Sequence, residues 1–285
     1  MLSDQQDVPA RNRFSINEWT TFRWSFDEAV YQYRQAGVSA IGVWRQKLTD
    51  FGEDKGRELL ADSEMSVSSL LWAGGFTGSD GRNQRESLQD AREAIELAAF
   101  LEASCLVVYS GARGGHTLNH ANRLFHQAID TLLPVAEELS VTLAIKPMHS
   151  LCASGWTFLT DMERAAEWSR SYNHDRLKLV LDLYQWGFDP SFGDLLDSLV
   201  SELALVQLGD GRVPPDMTPG VEQSRCPLGA GEIPLAKYLG QLMAAGYGGY
   251  YELELMGEEI ESLDYEPMIR QCIEAYQQWM ATPAS

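Results

Sequence analysis

The sequence predicts an α/β fold of one domain, a closed (β/α)8 barrel of the TIM type, in which eight parallel strands alternate with helices. Three observations carry that expectation. Strand and helix signals alternate along the chain without a break in composition. Four short apolar runs in the second half each end in a polar or charged side chain: Val141–Lys146, Leu177–Asp182, Leu203–Gln207 and Tyr250–Glu254. Continuous apolar runs of that length mark strands covered on both faces of a parallel sheet. The 285 residues also suit the roughly 250 that one barrel needs, with a barrel over 13–281 and short tails over 1–12 and 282–285. A doubly wound open sheet is the competing architecture, and eight strand–helix units favour closure.

Arg13–Asn17 is the first strand and the weakest signal. Ser25 opens a helix whose first turn carries Asp27 and Glu28, where carboxylates meet the positive end of the helix dipole. Ala36-Gly37 stops it, glycine being the residue that accepts a left-handed helix end. Val38–Trp44 is the second strand, Thr49–Ala61 the second helix and Met65–Trp72 the third strand, followed by the glycine-rich Ala73–Gly78. Over Asn83–Ala103, Leu88, Ala91, Ala94, Ile95, Leu97 and Ala98 recur at helical spacing. Cys105–Tyr109 is strand four, and Leu118–Ser140 forms the next helix. The four apolar runs supply strands five to eight, with helices over Thr160–Ser171, Gly193–Ser201, Ile233–Ala245 and Tyr265–Met280.

Composition narrows the function classes. The net charge of -19 argues against a nucleic-acid partner, because neutralising phosphates takes a Lys/Arg surface. No run approaches the ~18 apolar residues of a membrane span. Met1–Arg13 is polar and shows no secretory signal. Cys105, Cys152, Cys226 and Cys272 lie far apart without a CxxC pair, which is cytosolic usage, and Cys105 and Cys272 read as buried thiols. A cytoplasmic protein is expected, acting on a small molecule.

A barrel gathers its chemistry where the C-terminal ends of the strands meet. The residues there are Lys146, Asp182, Gln207 and Glu254. Asp182 closes an apolar run, where a carboxylate needs a partner or a metal; an end-of-strand salt bridge is the plainer reading. Strand alternation sends Glu252 and Glu254 to the same face, and two close acids need a cation between them or a shared proton. Lys146 is the internal candidate for that cation. Gln207 is either a weak ligand or hydroxyl partner, or a satisfied buried amide. Arg212 and Arg225, after strand seven, are placed to clamp hydroxyls or an anion, or to form ordinary surface pairs.

The segments Ala144-Ile145-Lys146-Pro147-Met148-His149, Leu181-Asp182-Leu183-Tyr184-Gln185-Trp186, Val206-Gln207-Leu208-Gly209-Asp210 and Gly246–Glu254 resemble the sugar phosphate isomerase/epimerase superfamily. These are the xylose-isomerase-like barrels, which also include endonuclease IV. The resemblance covers essentially the whole barrel. In that family strand five ends in Glu-Pro, strand six in Asp with a His three residues on, strand seven in His and strand eight in Glu. The resemblance implies one divalent metal, typically Mn, Mg or Co, held by Glu, Asp, His and Glu, with the two glutamates relaying the proton alpha to a carbonyl. This sequence departs at three places: Lys146 for the glutamate, Gln185 for the histidine after the aspartate, and Gln207 for the strand-seven histidine.

Asp182, Gln207 and Glu254 are the ligands expected if a metal is retained. A lysine ammonium at ~4 Å would repel a divalent ion by roughly 8 kcal/mol at an effective dielectric near 20. Lys146 is therefore expected to take the place of the metal charge, paired with Asp182 and Glu254, with no tightly bound cofactor. The resemblance implies isomerase/epimerase-like proton transfer on a sugar or related polyol or keto acid. Glu254 would be the base, Lys146 the cation and proton donor, and His149 a mouth acid/base. Flanking carboxylates should raise the Lys146 pKa and favour the ammonium over a Schiff base. Trp44, Arg45, Trp72, Arg113, His116, Gln185, Arg212 and Arg225 are the candidate substrate contacts. The alternative is a catalytically silent barrel that binds carbohydrate or a partner subunit. A phosphodiesterase of the endonuclease IV type is disfavoured, since its multi-zinc cluster needs more ligands than a chain with 5 histidines offers. Barrels of this kind often pair, so a homodimer is allowed for, although no interface is legible.

Overall fold

Eight parallel strands close on themselves in a computed structural model that describes residues 13–153, 155–212 and 225–281. They are β1 (Phe14–Asn17), β2 (Ala40–Trp44), β3 (Ser66–Gly74), β4 (Leu106–Tyr109), β5 (Leu143–Ile145), β6 (Leu177–Asp182), β7 (Leu203–Leu208) and β10 (Tyr250–Leu253). Closure comes from β1 pairing in parallel with β10, with Ser15 opposite Glu252. The expected single barrel domain is what forms. The expected tails over 1–12 and 282–285 lie outside the described residues.

The helices are α1 (Phe26–Gln35), α2 (Arg45–Phe51), α3 (Glu53–Asp62), α4 (Gln84–Phe100), α5 (Leu118–Glu138), α6 (Met162–Tyr172), α7 (Leu183–Trp186), α8 (Gly193–Leu199), α9 (Leu235–Ala244), α10 (Glu258–Ser262) and α11 (Tyr265–Ala281). The helix expected over Thr49–Ala61 is two helices instead. Gly52, at φ +106°, adopts a backbone that other residues avoid, and the chain turns there between α2 and α3. A short antiparallel pair, β8 (Asp210–Gly211) with β9 (Arg225–Cys226), was not foreseen, and it decides where Arg225 goes.

Alternation along each strand sorts the side chains into two layers. Ile16, Ile41, Val43, Leu70, Val108, Ile145, Leu181, Val206 and Leu253 belong to the large cluster between barrel and helices. Leu71, Val107, Tyr109, Ala144, Val180 and Leu205 form a second, smaller cluster inside the barrel. Each fully buried aliphatic side chain stabilises the fold by about 1.5–3 kcal/mol, so the outer layer supplies most of the driving force. The same alternation turns Ser15, Asn17, Lys146, Asp182, Gln207, Glu252 and Glu254 inward as a polar layer, every one of them buried. Gly42 makes room for it: a Cβ there would lie 2.5 Å from Glu252 Oε2 and 2.9 Å from Ser69 Oγ. All four cysteines are free, with Cys105 and Cys272 buried. Among the described residues, no helix is long and apolar enough to cross a membrane.

Candidate functional site

Lys146 follows β5 directly, its backbone N–H held by the Val108 carbonyl of the neighbouring strand. Its Nζ donates to Glu254 Oε2 at 2.7 Å and lies 3.4 Å from Asp182 Oδ2. A second cation completes the group. Arg225 grips Asp182 with both ends of its fork, Nη2 to Oδ2 at 2.6 Å and Nη1 to Oδ1 at 3.2 Å. Nη1 also donates to the Glu254 carbonyl at 2.9 Å, and Nη2 is 3.6 Å from Glu254 Oε2. The guanidinium lies over the Tyr184 ring at 4.5 Å. Two cations and two carboxylates thus form one ionic cluster, and all four side chains are at most 2% exposed.

The β8–β9 pair carries Arg225 inward. Asp210 anchors its base by accepting the backbone N–H groups of Gly211 and Ile233 on Oδ1 and of Gly229 and Gly231 on Oδ2. Gly231 permits this approach, since a Cβ there would collide with Asp210 Oδ1. Arg225 is therefore neither the surface pair nor the free clamp that its place after strand seven suggested.

Beneath the cluster lies a second acid. Glu252 accepts from Ser69 Oγ at 2.6 Å, Ser68 Oγ at 2.8 Å, Asn17 Nδ2 at 2.9 Å and Gln207 Nε2 at 3.0 Å. Gln207 Nε2 also reaches Glu254 Oε1 at 3.1 Å, so its NH2 group faces the acids. Its Oε1 is buried and has no partner among the described residues. Gln185 braces Asp182 through Nε2 at 3.0 Å and accepts the His149 backbone N–H on Oε1 at 2.8 Å. That commitment makes Gln185 a support for Asp182.

The electrostatics follow from this packing. Burial works against the Lys146 ammonium, but Glu254, Tyr109 and Asp182 outweigh it and hold the lysine pKa above its ordinary value. Burial likewise works against the Asp182 carboxylate, yet Arg225 and Lys146 pull its pKa down to about 2. For Glu254 burial wins: with help from Asp182 it raises the pKa despite Lys146 and Arg225. Tyr109, beside Lys146, is pushed up to about 12 by burial. Burial lowers the pKa of half-buried His149, which favours the neutral imidazole.

A divalent metal does not fit this donor set. Both Asp182 oxygens accept from Arg225, Lys146 stands against Glu254, and Gln207 presents NH2 to the acids. Turning the Gln207 amide over would set its oxygen against two carboxylates. Among the described residues, no group of three or more His, Cys, Asp or Glu side chains could hold a metal ion.

The other expected contacts divide. Trp44 and Trp72 join an aromatic wall whose other members, Trp19 and Trp156, the sequence did not reveal: Trp19 packs on Trp44 at 6.1 Å and on Trp156 at 5.6 Å, and Trp72 on Trp156 at 5.1 Å. Tyr109 adjoins Trp156 at 5.1 Å. His149 meets the edge of Trp186 at 5.6 Å. Arg45 is committed to the Trp72 carbonyl and to Asp90, each at 3.1 Å. His116 bonds the Thr77 carbonyl and stacks on His120, Arg113 is exposed, and Arg212 is an exposed partner of Glu259. These last four are not brought to the cluster. Asn17, Ser68 and Ser69 were missed; only Asn17, the inward polar end of β1, had a strand-end signal.

Solved structures share this fold. Protein SMc04130 from Sinorhizobium meliloti 1021 superposes with a TM-score of 0.85 at 24% identity, covering 94% of this chain and 98% of its own. The IOLI protein, solved with a bound zinc atom, gives 0.81 at 18% identity over 96% and 99%. The 3-keto-D-glucoside 4-epimerase YcjR from E. coli gives 0.75 at 12% identity over 93% and 98%. No curated protein matches the sequence. The match that identifies the chain is one of sequence family, over residues 30–279, and by it the chain belongs to the xylose isomerase-like TIM barrels.

Proposed function

We propose that this barrel acts on a carbohydrate by metal-independent proton transfer next to a carbonyl, with Lys146 and Arg225 in the place of a divalent metal. The observation that carries the reading is the Lys146 ammonium, 2.7 Å from Glu254 and 3.4 Å from Asp182. Glu254, its pKa raised by burial, takes the proton from the carbon alpha to the carbonyl. The C–H electron pair becomes the double bond of an enediolate, and the ammonium meets the charge that develops on oxygen. Lys146 stays protonated and does not form a Schiff base. Glu254 returning its proton to the adjacent carbon gives an isomer, and an epimer forms when the enediolate turns its opposite face to Glu254 before the proton goes back. His149 supplies a neutral imidazole at the mouth for a hydroxyl proton. The epimerase among the similar structures supports sugar chemistry, and the scattered free cysteines support a cytoplasmic setting.

The pairing and burial of the cluster favour a second reading, a sugar-binding barrel without turnover. Solvent deuterium uptake at the alpha carbon, across a panel of ketoses, aldoses and keto-sugars, separates the two. The proposal expects exchange that survives chelator dialysis and falls by about 10²-fold or more in Glu254→Gln. Exchange that needs added Mn²⁺ would overturn metal independence, and no exchange across the panel would leave the binding reading.

A further inference from the structure

The connection from β1 to α1, residues 18–25, begins with a carboxyl group that the proposed chemistry does not use. Alternation turns Asn17 into the barrel and Glu18 away from it, toward the start of α2. There Glu18 Oε2 accepts the Trp44 backbone N–H at 2.8 Å. The side chain is fully buried, and its Oε1 has no hydrogen-bond partner among the described residues. Lys47 of α2 faces it, but Nζ stands 4.0 Å from Oε1, beyond hydrogen-bond reach. That ammonium donates instead to the Glu18 and Thr21 carbonyls, at 3.3 and 3.0 Å. The other titratable groups nearby are Glu28 on α1, which acts on Lys47, and Tyr33 on α1, which shares a 2.6 Å hydrogen bond with Thr21. Beyond Tyr33 lie Glu252 on β10 and Tyr265 on α11.

A carboxylate in this place keeps one oxygen out of water and without a donor, whereas the neutral acid loses far less on burial. Burial accordingly lifts the Glu18 pKa from an ordinary 4.5 to about 7, against the pull of Lys47 and the Trp44 N–H. The contact it sits in is also the one that closes part of the barrel rim. Trp19, next in the chain, packs on Trp44, and Phe22 lies 5.6 Å from the same ring. Thr20 and Arg23 fasten the connection to the Leu253 and Leu263 carbonyls on its other side. The side left to part is the one against α2, a helix of 7 residues between Trp44 and the turn at Gly52.

We propose that Glu18 is a pH-sensitive latch between the β1–α1 connection and α2: protonated, it holds the two together, and ionised, it lets them part, so that the Trp19–Trp44 contact at the rim opens as pH rises. The closed state keeps a proton that the opened, solvated carboxyl gives up in the ordinary range. Opening therefore becomes about tenfold more frequent per pH unit between 4.5 and about 7, and levels off above that. Hydrogen exchange of the full chain at pH 5 and pH 8 tests this, with Glu18→Gln measured beside it so that the intrinsic rate cancels. From pH 5 to pH 8 the ratio of parent to variant exchange at the amides of 18–24 and 44–51 should grow by about tenfold or more. In the parent at pH 8 these amides should also exchange faster than those of β6 and β7. A constant ratio overturns the latch, and so does exchange in step with β6 and β7, which is global unfolding. The Glu18 carboxyl carbon resonance, assigned through the backbone, tests the parent without any variant. Its midpoint should lie near pH 7, and a midpoint below about pH 5.5 overturns the proposal. Lys47→Met should move that midpoint upward, because the cation favours the carboxylate; an unmoved midpoint removes Lys47 from the latch.

Discussion

Replacing Lys146 with Met removes one cation from a buried cluster and leaves its acids in place. At 2.7 Å and 3.4 Å from Glu254 and Asp182, the ammonium contributes gross attractions of about 6 and 5 kcal/mol at an effective dielectric near 20. Desolvation cancels much of this, and breaking a buried pair by deleting one partner costs about 3–5 kcal/mol. Over 285 residues the unfolding entropy is roughly 0.6 kcal/mol per kelvin, so Tm should fall by about 5–8 °C at pH 7.5. The pH dependence gives the sharper signature. Glu254 already has a raised pKa in the folded state, and losing Lys146 raises it further. A carboxyl group with a raised folded pKa favours folding when protonated, and that advantage disappears as pH rises through its folded pKa. The deficit of Lys146→Met should therefore shrink as pH is lowered, and Lys146→Met/Glu254→Gln should recover most of it. Calorimetry between pH 5 and 8 measures this. A variant as stable as the parent at pH 7.5, or a deficit that grows on acidification, would refute the reasoning.

Asp182 titrates in the opposite sense. Its folded pKa near 2, against an ordinary 3.8, contributes about 2 kcal/mol of stability that is full above the ordinary value and lost as pH falls toward 2. Urea unfolding of the parent and Asp182→Asn should differ in slope across that window; parallel curves would count against the ion pair. Gly42→Ala should cost about 1–3 kcal/mol, because the new Cβ would sit 2.5 Å from Glu252 Oε2. An unchanged urea midpoint would show that the polar layer shifts freely.

Much of the architecture was readable because its signals are local. Apolar runs ending at Asp182, Gln207 and Glu254 announce covered strands and their inward-facing ends within a few residues of chain. Arg225 shows where local reading stops. Its burial depends on the β8–β9 pair, on the four N–H groups gathered by Asp210, and on an acid 43 positions away. Nothing in Glu222–Gly229 distinguishes that arginine from a surface one. Gln185 is similar: its spacing after Asp182 marks a departure from the family pattern, but its role as a brace needs the His149 backbone N–H, 36 positions away. Trp156 sits in a connection without strand or helix periodicity, so its junction with Trp19, Trp72 and Tyr109 exists only in three dimensions. The break at Gly52 lay inside a continuous helical pattern, where one glycine does not specify a turn.

The central claim is that organic cations hold the place of an inorganic one, and the metal content of the intact protein tests it most directly. Protein purified without chelator, exposed to Mn²⁺, Co²⁺ and Zn²⁺ and then dialysed, should retain far less than a stoichiometric divalent ion by mass spectrometry, with its Tm unchanged by the exposure. Retention of a stoichiometric ion, accompanied by a rise in Tm, would mean that Lys146 and Arg225 yield the site to a metal.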